Sequence, residues 1–193
     1  MQEDKFRLQT YLVRKKVMKL FGAAFHIYNP AGQLLFYSKM KAFKLKEDIR
    51  LYTGEDMKEE VLWIQARQIL DFSAAYDVVD SKTQQKIGAF RRKGMQSILR
   101  DEWHILDSTD KQIGTIKEDS MALALVRRFL TNLIPQKFSI ELNGAPVATY
   151  KQNFNPFVLK LTLDFSQDTK NQFDHRLGIA AALLLGSIEG RQG

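Results

Sequence analysis

The stretch Leu177-Gly-Ile-Ala-Ala-Ala-Leu-Leu-Leu-Gly-Ser-Ile188 decides the fold, because it is apolar on every side and follows a long succession of short β-rich runs and turns. Twelve residues rising about 1.5 Å each span roughly 18 Å, well short of the roughly 30 Å of bilayer hydrocarbon. Arg176 and Glu189 bracket the stretch with charge. It reads as a buried helix and not as a membrane span. A helix apolar all round must be covered all round, and the natural cover in a chain this rich in strands is a β-sheet closed on itself.

Working outward from that helix, strand–turn–strand units recur. His26-Ile-Tyr-Asn-Pro-Ala-Gly-Gln-Leu-Leu-Phe-Tyr37 is one, and Tyr76–Phe90 and Trp103–Ile116 are two more. Phe138–Tyr150 is the fourth, turning on Asn143-Gly144, a strong hairpin signal because both residues tolerate positive φ. In the second and third copies Asp80 and Asp107 start the turn, and Ile87-Gly88 and Ile113-Gly114 open the returning strand, a degenerate repeat of hairpins. With the remaining β-rich runs there are about twelve strands, near 11–20, 24–29, 34–40, 43–53, 60–68, 75–80, 86–92, 97–106, 112–117, 138–142, 146–152 and 157–165. Ser120–Leu133 carries Ala122, Leu125, Val126, Phe129, Leu130 and Leu133 on one stripe. That spacing predicts an amphipathic helix over 120–133, capped by Asp119 or Ser120 and ended by Pro135. No Gly-Ser-rich or Pro-rich linker divides the series, so residues 1–193 read as one domain.

These elements in this order make the chain resemble the tubby C-terminal-like superfamily, in the branch containing LURP-one-related proteins and phospholipid scramblases. The resemblance is carried by Tyr76-Asp-Val-Val-Asp80 with Ile87-Gly88 and by Asp101-Glu-Trp-His-Ile-Leu-Asp107 with Ile113-Gly114. Phe154-Asn-Pro-Phe157 before the last strand, and Asp174-His-Arg-Leu-Gly-Ile-Ala-Ala-Ala182 opening the helix, complete it. It implies a mainly β fold, a twelve-stranded closed barrel enclosing the C-terminal helix. A closed barrel removes sheet edges and needs something apolar inside, which agrees with the pattern of the residues.

Composition narrows the chemistry. Of 193 residues 45% are hydrophobic, enough for a substantial core, and the absence of cysteine excludes disulfide frameworks and Cys-ligated metal sites. Met1-Gln-Glu-Asp-Lys-Phe-Arg7 lacks the apolar run of a secretory signal, which sets the expectation of a cytoplasmic protein, peripheral to membrane where it binds lipid. No Gly-x-Ser-x-Gly elbow, phosphate loop or His-Glu-x-x-His helix occurs, so the expectation is a protein that is not an enzyme and carries no cofactor. His26, His104 and His175 lie far apart in sequence. His26 and His104 are read as beginning equivalent strands at a barrel rim, and His175 as lying near the start of the helix. Glu47-Asp48 and Glu59-Glu60 are read as solvated turns.

Scramblases carry an EF-hand-like calcium loop where this chain has Asp164–His175. Asp164, Ser166 and Asp168 fall at positions one, three and five, but Thr169 replaces the turn glycine and His175 the bidentate glutamate. A polar loop whose Asp174 caps the helix is the favoured reading, with Asp164 and Asp168 as degenerate candidates and no metal expected.

Twenty-nine Lys and Arg against twenty-two Asp and Glu leave a net charge of +7. The cations cluster at Arg14-Lys-Lys16 with Lys19, at Lys39, Lys41, Lys44 and Lys46, and at Arg91-Arg92-Lys93. Residues two apart on a strand share a face, so Lys39 with Lys41, Lys44 with Lys46, and Arg91 with Lys93 are candidate pairs for an anionic headgroup. Tubby proteins bind phosphoinositides, and that resemblance implies a binding module for anionic phospholipid headgroups or a membrane surface. The alternatives are a nucleic-acid or protein adaptor with a regulatory role and a scramblase-like lipid-handling protein.

Overall fold

A computed structural model describes residues 2–18, 22–40, 48–67, 75–93, 102–118, 136–153 and 158–189. A short helix, α1 (Gln2–Lys5), precedes twelve strands: β1 (Thr10–Met18), β2 (Gly22–Tyr28), β3 (Leu34–Met40), β4 (Asp48–Tyr52), β5 (Glu60–Ala66) and β6 (Ala75–Asp80). The series continues with β7 (Gln85–Arg92), β8 (Glu102–Leu106), β9 (Gln112–Glu118), β10 (Lys137–Leu142), β11 (Ala145–Asn153) and β12 (Leu159–Asp164), and ends in α2 (His175–Glu189). Every strand pairs antiparallel with its sequence neighbours, and β1 pairs with β12 to close the barrel. The sequence-predicted helix over 120–133 and Phe154–Phe157 lie outside the described residues.

Inward-facing positions alternate along β1, as a period of two requires. Tyr11, Val13 and Lys15 on β1 face Leu163, Leu161 and Leu159 on β12, while Leu12, Arg14 and Lys16 point outward. The interior is filled by α2, whose residues Leu177–Leu185 are all buried. Asp174 caps it, its Oδ1 accepting from the Arg176 N–H at 2.9 Å.

Two polar side chains of the wall hold α2 at its glycines. Tyr150 donates its hydroxyl to the Gly178 carbonyl at 2.5 Å, and Lys15 Nζ donates to the Gly186 carbonyl at 2.6 Å. Gly186 is one of the last four helical carbonyls, where the helix leaves acceptors unfilled and the macrodipole is negative. An ammonium there costs less than elsewhere in a core, and the Phe25 ring lies 5.6 Å from the same nitrogen.

The hairpin repeat is more regular than the sequence reading made it. Register shifts leave Leu35, Val61, Ile87, Ile113 and Val147 as single bulged residues on the returning strands of β2–β3, β4–β5, β6–β7, β8–β9 and β10–β11. The first four lie 26 residues apart, at 35, 61, 87 and 113. A bulge bends and twists its strand, so each hairpin contributes a similar share of the curvature that closes the wall. The β4–β5 unit is one that sequence reading did not pick out. Asp80 and Asp107 both start their turns, with Asp80 Oδ1 accepting from the Lys82 and Thr83 amides and Asp107 Oδ1 from those of Thr109 and Lys111.

Candidate functional site

Adjacent strands β11, β12 and β1 gather cations on their outer face. Arg14 on β1 lies directly across from Lys160 on β12, and Lys160 across from Asn153 on β11. Lys151 stands opposite Thr162, diagonal to Lys160, and Lys16 follows Arg14 two residues along the same face. Directly opposed side chains start about 5 Å apart and diagonal ones about 7–8 Å apart. Arg14, Lys16, Lys151 and Lys160 thus form one cluster on three neighbouring strands, and none of the four makes an ion pair with a described residue. On this face the register puts one carboxylate, Asp164, four residues up β12 from Lys160, and it accepts from the Ser166 amide at 2.8 Å.

The wall from β4 to β9 is built the other way. Arg50 bridges Asp48 and Glu60, Lys93 meets Glu102 at 3.1 Å, and Lys117 meets Glu141 at 3.1 Å. Arg67 and Lys86 share Asp77 and Asp110 in one network. There the cations are largely neutralised in place. On β12 and β1 Arg14 and Lys160 face each other as like charges, an unfavourable pairing that an anion above them would relieve.

Beside the cluster the guanidinium of Arg14 lies over the Tyr28 ring at 5.1 Å. His26, across from Arg14 on β2, stacks on Tyr28 and bonds through Nε2 to Glu55 at 2.8 Å. Tyr37 on β3 is buried under this group, and burial, then Glu55, raise its hydroxyl pKa.

Lys39 is exposed on β3, two strands from β1, and Lys41, Lys44 and Lys46 lie outside the described residues. Arg91 is exposed on β7 opposite His104, and Lys93 follows the strand in its ion pair with Glu102. Three strands, β4 to β6, separate β7 from β3, so the structure does not bring Arg91 and Lys93 together with Lys39. His26 and His104 sit within β2 (Gly22–Tyr28) and β8 (Glu102–Leu106) and not at their starts. The His104 pKa is lowered by burial and then by Arg91. His175 opens α2 and stacks on Phe165 at 3.8 Å, and burial lowers its pKa too.

Asp164 and Asp168 are occupied by the backbone. Asp168 accepts from the Gln172 and Phe173 amides at 3.0 and 2.8 Å, which makes it a loop staple. Among the described residues no group of three or more His, Asp or Glu is placed to hold a metal ion. Sequence reading saw Arg14 and Lys16 as part of a basic run but missed Lys151 and Lys160. Each stands apart from other cations in the chain, and only the β11–β12–β1 register unites them.

The model of the LURP-one-related family matches residues 36–186. The chain belongs to the LURP-one-related family. An Arabidopsis thaliana protein solved by X-ray crystallography is similar in fold, with a TM-score of 0.53 at 13% identity over 93% of this chain and 91% of that one. Comparison with curated proteins gives no significant match. No helix among the described residues is long and apolar enough to cross a membrane.

Proposed function

We propose that this LURP-one-related barrel is a non-enzymatic module, one domain over residues 1–193, that docks on anionic phospholipid surfaces through the outer face of β11, β12 and β1. The observation that carries this reading is the direct opposition of Arg14 and Lys160, flanked by Lys16 and Lys151 with no ion pair to a described residue. A strand wall that leaves such cations uncompensated attracts an anionic surface, each contributing about 1 kcal/mol near anionic lipid. Nucleic acid would use the same charges, but sequence-tolerant binding of single strands needs open aromatic rings for base stacking. Here the Arg14 guanidinium covers the Tyr28 ring and Tyr37 is buried.

Co-sedimentation with phosphatidylcholine vesicles, with and without phosphatidylserine, tests the reading. Binding is expected only to the acidic vesicles, weakening toward physiological salt where the Debye length falls to about 8 Å. Arg14→Glu/Lys160→Glu should abolish it, while Arg91→Ala/Lys93→Ala should leave most of it. Unbound acidic vesicles, or binding indifferent to the first pair, would sink the proposal; binding to an oligonucleotide instead would put the adaptor reading in its place.

A further inference from the structure

We infer that the β11–β12–β1 face reads the charge density of a lipid surface and not the identity of one headgroup, an inference that rests on the docking reading above. A site selective for one phosphorylated headgroup needs donors fixed around a single position. Among the described residues this face fixes one of the four cations, Arg14 over the Tyr28 ring, and holds the three lysines by no ion pair. Both edges of β11, β12 and β1 are engaged in ladders, so their backbone N–H groups serve the sheet and only side chains remain as donors. Three of the four cations are lysines, compact hydrated charges on flexible stems. None of the four is held by a described carboxylate, in contrast with Arg50, Arg67 and Lys86 on the opposite wall.

The spacing points the same way. Three strands place the backbone anchors of Lys151 and Arg14 two strand spacings apart, about 10 Å, before the side chains splay outward. The strand wall is convex, because it is part of a closed barrel. Cations spread over such a surface meet several headgroups at once, and each contributes separately.

The test is a vesicle titration with the full chain. Phosphatidylserine and phosphatidylglycerol vesicles of equal charge should give superimposable binding curves that rise steeply with anionic fraction. Phosphatidylinositol 4,5-bisphosphate at matched surface charge should bind within about twofold of them, and soluble inositol trisphosphate should not compete. Arg14→Ala, Lys16→Ala, Lys151→Ala and Lys160→Ala should each weaken binding about fivefold, alike on every acidic lipid. A tenfold preference for one headgroup at matched charge, competition by inositol trisphosphate, or one substitution that abolishes binding while the others do nothing, would overturn the inference and leave the docking reading standing. No binding to any acidic vesicle would overturn both.

Discussion

At the scale of single residues, the barrel interior is set by where side chains are missing. A Cβ on Gly178 would run into the Phe165 ring, itself packed between Tyr11, Phe173 and His175. A helical Gly→Ala change ordinarily gains about 1 kcal/mol from propensity, whereas overpacking a filled core costs about 1–3 kcal/mol. The clash should win. Gly178→Ala is therefore expected to lower stability by about 1–2 kcal/mol in urea unfolding; a stabilised variant would mean that α2 sits more loosely than described. The cation cluster is also a residue-scale feature, and it is the part least legible in the sequence. Lys151 and Lys160 carry no local mark, since their neighbours in the chain are not their neighbours on the wall. Arg91 and Lys93 did carry one, an obvious basic run, yet the fold gives Lys93 to Glu102 and sets both far from β1.

At the scale of elements, hydrophobic patterning was sufficient for most of what the fold needed. Twelve β-rich runs became twelve strands, and Leu177–Ile188 became most of α2, because a run apolar on every face has no other low-energy place than an enclosed core. The bulges were not readable in the same way. Leu35, Val61, Ile87 and Ile113 look like ordinary strand residues, and only the broken register marks them. Enclosure of α2 is also the element-scale statement most open to attack. Leu184 is 1% exposed at mid-helix. An ammonium placed there has no helix-end carbonyl of the kind that Lys15 finds at Gly186, and an unpartnered buried charge costs several kcal/mol against a total stability of about 5–15 kcal/mol. Leu184→Lys should thus fail to fold cooperatively. A soluble variant with a sharp thermal transition and native circular dichroism would contradict an enclosed helix.

At the scale of the whole molecule, the closed barrel separates two kinds of wall. From β4 to β9 most strand cations are matched by carboxylates, whereas on β11, β12 and β1 Arg14, Lys16, Lys151 and Lys160 make no ion pair with a described residue. Closure matters to this arrangement, because with β1 bonded to β12 the first and last strands hold Arg14 and Lys160 at fixed register across a seam that joins opposite ends of the chain. The most direct measurement is paramagnetic relaxation by NMR with spin-labelled lipid in small acidic bilayers. Broadening should centre on the outward residues Arg14, Lys16, Lys151, Lys160 and Thr162 and spare β5 to β8. Broadening centred on β5 to β8, or spread evenly around the barrel, would contradict the assignment of the membrane-facing wall.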